Sequence, residues 1–236
     1  MSRWNFYKKN FLKSINKNEN FLLISASINE IKILRSLGYS NFAITYHDEK
    51  GKENLQNYGF EMNKNLFRSD VRNLKFKNNL FEYVVTNATL HHVDQPQKAI
   101  TEMYRIAKKG VLIIESNDSL TMQIACKLKF VEEFEVSSID LKNNSGGLLD
   151  TGVPNYVYRW TEREIIKILK SYDPSNIVSV KFKYANDLTN FKSNKLYVKI
   201  LKFFTKIFFF IFKKQQNCMS IFIDKINIKK RFNKIN

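Results

Sequence analysis

The chain has 236 residues, a mass of 27.9 kDa and a formal net charge of +17, which allows one globular domain and makes two full-sized ones too many. Its 44% hydrophobic and 14% aromatic content excludes an intrinsically disordered tail. Two distant cysteines, Cys126 and Cys218, give neither a disulfide framework nor a Cys-x-x-Cys metal clip, so a reducing, cytoplasmic setting is the default and no metal ligands are expected. The first apolar run, residues 21–28, is too short for a secretory core, and no stretch of about eighteen apolar residues occurs to span a membrane. Charge is unevenly spread: residues 188–236 carry net +11, with Asp224 as their one acid, against +6 for residues 1–187. Charge alone identifies no partner.

From residue 21 short apolar runs alternate with helical patterns, as a parallel sheet flanked by helices requires. FLLISA (21–26) reads as a buried strand, and Ile28, Ile31, Leu34 and Leu37 share a helical face that ends at Gly38. NFAITYHD (41–48) and FRSDV (67–71) are the second and third strands, and the segment 80–92 opens as a strong fourth. Asp94 is placed to cap a helix over Pro96 to Lys108, and Gly110 releases the chain into VLIIES (111–116). Residues 117–158 are less legible, with glycines and Pro154 marking loops that could cover a site. TERE (161–164) resembles a capping box at the head of a helix to Tyr172, NIVSVKFKYA (176–185) alternates as a strand, 191–214 reads as a helix, and 218–226 as a last strand. The βαβ rules then favour an open, doubly wound sheet with its ligand at the carboxyl ends of the strands.

Within residues 69–115, Asp70, Phe76, Phe81 with Glu82, Leu90 with His91 and His92, Glu102 with Arg105, and Gly110 form a sequence that resembles the central segment of class I S-adenosylmethionine-dependent methyltransferases of the small-molecule "type 11" kind. The resemblance extends less sharply over about residues 20–185. It implies an α/β, Rossmann-like, doubly wound seven-stranded mostly parallel sheet, with S-adenosylmethionine as cofactor and a small-molecule acceptor, a glycan or lipid-linked precursor among the options. Asp48, after the second strand, is placed to accept from the ribose hydroxyls, the alternative being a turn aspartate. Asp70, with the backbone of Val71, matches the position that accepts from the adenine amine, or else caps a turn. The first strand-to-helix turn departs from the family's glycine-rich loop: SASINE (25–30) has no glycine, and Ser25, Ala26 and Ser27 are small enough for close approach. Glu30 is either a contact for the cofactor's ammonium or an N-terminal helix carboxylate.

Asn87, His91 and His92 would face the reacting centre, with Asn87 as a polar contact to the cofactor and a histidine as general base or, alternatively, packing and capping roles for the pair. Tyr158, Arg159 and Trp160 would bind substrate by stacking and bidentate contacts, unless Trp160 packs on the sheet. In the helix over 191–214, Lys195, Lys199, Lys202, Lys206 and Lys213 share one face beside a wide arc of Phe and Ile. Residues 195–214 are therefore either a peripheral contact with an anionic membrane or a crossover helix on the sheet. No Asn/Asp-Pro-Pro-Tyr-like base-flipping element occurs, so a nucleic-acid partner is not expected. The chain divides into a basic N-terminal extension (1–19), a methyltransferase-like domain (20–226) and a basic tail (227–236). The rival reading is a catalytically inactive scaffold at a membrane surface or in an assembly.

Overall fold

The computed structural model describes residues 2–140, 145–187 and 205–232. Seven strands, β1 (Phe21–Ile24), β2 (Phe42–Tyr46), β3 (Leu66–Arg68), β4 (Phe81–Asn87), β5 (Ala107–Ser116), β6 (Asn176–Ala185) and β7 (Cys218–Lys230), form one sheet of order β3-β2-β1-β4-β5-β7-β6. Pairings from β3 through β5 are parallel, and β7 runs antiparallel to both of its neighbours. The doubly wound sheet expected from the sequence is thus present.

β1 is buried at all four positions because both sheet faces are covered. Leu22 and Ile24 point into a cluster with α4 (Pro96–Ile106) and α6 (Glu162–Tyr172), while Phe21 and Leu23 point to the opposite cluster beneath α1 (Arg3–Ser14) and α2 (Ile28–Ser36). α3 (Glu49–Asn57) and α5 (Leu120–Lys127) complete the helices that flank the strands. The first nineteen residues, read from the sequence as a basic extension, instead supply a core helix. Phe6, Tyr7, Asn10 and Phe11 of α1 are buried, and Phe11 packs edge-on against Phe21 and Tyr39 at centroid distances of 5.1 and 4.9 Å.

Thr161 and Glu164 form the anticipated capping box of α6. At α4, Pro96 occupies the first turn as expected, but Gln95 is the N-cap and Asp94 is drawn away to Arg72. The helix ends at Ile106 and passes directly into β5, so Gly110 lies within the strand. A Cβ there would sit 2.7 Å from the Ile223 carbonyl oxygen of β7, and this close approach explains the glycine. β7 extends to Lys230, so the tail read as starting at 227 begins as sheet, with Lys229 and Lys230 opposite Ile177 and Asn176. Of the helix expected over 191–214, residues 205–211 are helical and 188–204 lie outside the described residues.

Candidate functional site

The strand order reverses between β1 and β4, and the carboxyl ends of β1 through β4 diverge there around a cavity of about 330 Å³. Ser25, Asp48, Asp70, Val71, Ala88 and His92 are among its lining residues, with Gly146 and Gly147 from the segment between α5 and α6. Ser25 follows β1 at φ 49° and Ala88 follows β4 at φ 52°, both left-handed. The Ser25 N–H is held by the Thr45 carbonyl at 3.1 Å, and that of Ala88 by the Ile114 carbonyl at 2.9 Å, so neighbouring strands fix both turns.

Ser27 is the N-cap of α2 and shares a capping box with Glu30. The buried Glu30 carboxylate accepts from Ser27 N at 2.9 Å and Ser27 Oγ at 3.1 Å, and the Asn87 side chain also hydrogen-bonds to it. Burial pushes the Glu30 carboxyl up to about 7 against these bonds. Glu30 thereby ties the ends of β1 and β4 together. Asn87 is itself buried, and its Oδ1 has no hydrogen-bond partner among the described residues. Asp48 caps α3, one carboxylate oxygen accepting from Gly51 N at 2.6 Å, while it also lines the cavity. Both oxygens of Asp70 are engaged by Arg72, from Nε at 2.9 and 3.0 Å and Nη2 at 2.7 Å, and Arg72 Nη1 reaches Asp94 at 2.5 Å. Hydrogen bonding from Arg72 holds the Asp70 carboxyl below its ordinary value despite partial burial.

The two histidines occupy a single 3₁₀ turn, Leu90–His92, after β4. Glu115, wholly buried near the end of β5, accepts the backbone N–H groups of Thr89 at 2.8 Å and Leu90 at 2.7 Å and lies 2.9 Å from His91 Nδ1. Burial opposes a cation at His91, but the charge and hydrogen bond of Glu115 together with the charge of Glu135 outweigh it and raise the His91 pKa above its usual value. For His92 burial and the neighbouring His91 act together to lower it. Glu135, from the segment between β5 and α6, approaches both rings, 3.6 Å from His91 Nε2 and 3.7 Å from His92 Nε2. Sequence reading singled out neither Glu115 nor Glu135. The first offered the signal of an acid in the apolar run VLIIES, the second none.

The proposed substrate residues part company. Trp160 is wholly buried in the hydrophobic cluster of α4 and α6, so it serves as core and offers no face to a substrate. Tyr158 donates to Glu164 and accepts from Gln97, each at 2.9 Å, and Arg159 donates to the Glu132 carbonyl at 2.7 Å. Tyr158 and Arg159 line a second cavity of about 400 Å³ with Asp118 and Glu133, and it shares no lining residue with the crevice at β1 and β4.

The sheet order, the antiparallel β7 and the crevice at the reversal define the Rossmann-like class I methyltransferase fold. Solved structures of that fold are similar over most of this chain. An S-adenosylmethionine-dependent methyltransferase from Archaeoglobus fulgidus has a TM-score of 0.56 at 12% identity, covering 94% of each chain. One from Methanosarcina mazei has a TM-score of 0.54 at 15% identity, covering 92% of this chain and 96% of its own. Magnesium protoporphyrin IX methyltransferase from Synechocystis PCC 6803, with bound S-adenosylhomocysteine, has a TM-score of 0.52 at 10% identity, covering 94% and 81%. Residues 30–114 match the family model of the methyltransferase domain. The ubiquinone/menaquinone biosynthesis C-methyltransferase UbiE of Haemophilus ducreyi is 28% identical over 112 residues, 47% of this chain and 41% of that protein, so the alignment spans less than half the relative's length. Residues 30–114 are thus similar to a methyltransferase domain, set within a chain that has the class I methyltransferase fold.

The crevice residues fit that family's cofactor. Two carboxylates line the cavity, Asp48 with one oxygen outside its helix cap, while Asn87, at the end of β4, is buried behind the lining residues with its Oδ1 lacking a donor among the described residues. The glycine-free turn takes a left-handed backbone at Ser25.

Proposed function

We propose that this chain transfers the methyl group of S-adenosylmethionine to a small-molecule acceptor. The observation that carries the reading is the cavity at the reversal of strand order, walled by Ser25, Asp48, Asp70 and Ala88. S-adenosylmethionine supplies an electrophilic methyl carbon on a sulfonium. Asp48 and the 25–27 backbone would hold the nucleoside and amino-acid portions, Asp70 and Val71 would border the base, and Asn87 would accept from the cofactor's polar groups. Methyl transfer needs chiefly alignment of nucleophile and carbon. His92, on the cavity wall, is available to take a proton from an acceptor hydroxyl, and buried His91 positions it through the shared turn.

A lipid-linked or glycan acceptor in the cytoplasm fits the exposed apolar group Ile207, Phe208, Phe210, Ile211 and Phe212 beside Lys213 and Lys214. This would be peripheral contact, since no helix among the described residues is long and apolar enough to cross a membrane.

Calorimetric titration with S-adenosylmethionine and S-adenosylhomocysteine at moderate salt tests the reading. Micromolar binding is expected. Asp48→Ser keeps a capping oxygen for α3 but removes the second carboxylate oxygen, and should weaken binding by about 1–3 kcal/mol. No binding by a folded sample would refute methyl transfer and favour the inactive scaffold, for which the glycine-free turn is the sequence argument.

A further inference from the structure

We infer that His91, His92 and Glu135 form a binding site for one divalent transition-metal ion, zinc in the first place, at the border of the crevice. One ligand atom from each of the three lies within 4.8 Å of the others. Glu135 Oε2 is 3.6 Å from His91 Nε2 and 3.7 Å from His92 Nε2. Donors on a tetrahedral zinc ion, with bonds of about 2.0–2.1 Å, stand about 3.3 Å apart, so the two glutamate–histidine separations must close by a few tenths of an ångström and the widest separation in the group by at most about 1.5 Å.

The surroundings have the form such a site requires. Glu115 accepts from His91 Nδ1 at 2.9 Å, which fixes the tautomer that turns the Nε2 lone pair toward Glu135. Glu115 is in turn anchored by two backbone N–H groups, so the carboxylate–histidine pair is rigid. Asn155 fastens the third ligand to the first. Its side chain donates to the His91 carbonyl at 2.9 Å and to Glu135 Oε2 at 3.4 Å, and its own carbonyl accepts from Glu135 N at 2.9 Å. Two imidazoles and one carboxylate suit zinc and its first-row neighbours rather than magnesium or calcium. Three protein ligands leave a fourth position open. Because His92 also lines the crevice, that position lies within reach of a water or of an acceptor oxygen there.

This site stands independently of whether the crevice holds S-adenosylmethionine, and a metal held there would occupy the His92 nitrogen that is otherwise available as a proton acceptor. The test uses the untagged full chain, freed of metal by chelator, titrated with zinc chloride by calorimetry and with cobalt(II) by visible absorption. One zinc per chain is expected, with cobalt bands of low-coordinate nitrogen and oxygen ligation. His92→Ala and Glu135→Gln should each lower zinc affinity about 100-fold, Glu115→Gln by about 10–100-fold, and all three should retain the wild-type circular dichroism spectrum. Of the chain's three histidines, His47 is the one outside the cluster, and His47→Ala should leave zinc affinity unchanged. Absence of zinc binding by folded wild-type protein, or full affinity in either His92→Ala or Glu135→Gln, would overturn the inference. Titration of the same samples with S-adenosylmethionine reads the cofactor site separately.

Discussion

Replacing Glu30 by glutamine should stabilise the protein above neutral pH, by an amount that shrinks on acidification. The Glu30 carboxyl is almost fully buried at the first turn of α2, and burial pushes it from 4.5 to about 7 even though Ser27 and Asn87 bond to it. At about 1.4 kcal/mol for each pH unit between those values, carrying the ionised form in the folded state costs about 3 kcal/mol. The unfolded chain releases this proton near pH 4.5, whereas the folded chain keeps it up to about pH 7. Between these limits the folded state binds more protons, so its stability falls as pH rises, and above the upper limit the full cost is present. In Glu30→Gln the amide keeps a carbonyl oxygen for the Ser27 N–H and carries no charge. The advantage of the variant at pH 8 should therefore approach 3 kcal/mol less the strength lost with the charge-assisted bonds, and it should be about 2 kcal/mol smaller at pH 5.5. Urea denaturation of both proteins at pH 5.5, 7 and 8 isolates the effect, because other titrating groups cancel in the difference. A difference independent of pH would refute a buried carboxyl of raised pKa at this position.

Two further substitutions test how the fold is held. Phe11→Ala removes a ring buried against Phe21 and Tyr39 and should cost about 3–5 kcal/mol in urea denaturation; a cost below 1 kcal/mol would return residues 1–19 to the status of an extension. Gly110→Ala drives a Cβ to 2.7 Å from the Ile223 carbonyl and should cost about 1–3 kcal/mol, whereas wild-type stability would show that β5 and β7 can part freely.

The legible parts of the sequence were those whose burial is periodic. β1, β4 and β5 are apolar runs, and α6 opens with a capping box readable from Thr161 and Glu164. α3 and α5 gave no such signal, because α3 buries Leu55 alone and α5 buries nothing. In α1 the buried Phe6, Tyr7, Asn10 and Phe11 are interleaved with Lys8 and Lys9, so charge masked the stripe. Several residues that carried the family resemblance turn out to clamp the scaffold. Arg105 donates to the Leu74 and Phe76 carbonyls at 2.6 and 2.8 Å, and Glu102 accepts from Leu74 N at 2.9 Å, fastening α4 to the approach of β4. The partners of the histidines were out of reach for a different reason. Glu115 and Glu135 meet His91 only through the parallel pairing of β4 with β5 and the return of the later loop, and no local pattern encodes either contact.

The glycine-free turn after β1 shows how a sequence departure can mislead about conformation. Its absence of glycine suggests a chain that cannot follow the family's path, yet Ser25 takes φ 49° all the same. A side chain there costs about 1–2 kcal/mol, and the structure offsets it locally. The Ser25 N–H is held by both the carbonyl and the hydroxyl of Thr45, at 3.1 and 3.2 Å, while Ser27 and Glu30 lock the next turn. The left-handed turn is therefore formed at the expense of some strain, and Ser25 and Ser27 each bring a Cβ and a hydroxyl that glycines would not. Those hydroxyls differ in availability: Ser27 Oγ is committed to the capping box, while Ser25 lines the cavity. At this turn the strand end is set in a left-handed conformation, and Ser25 is the serine of the pair that lines the cavity.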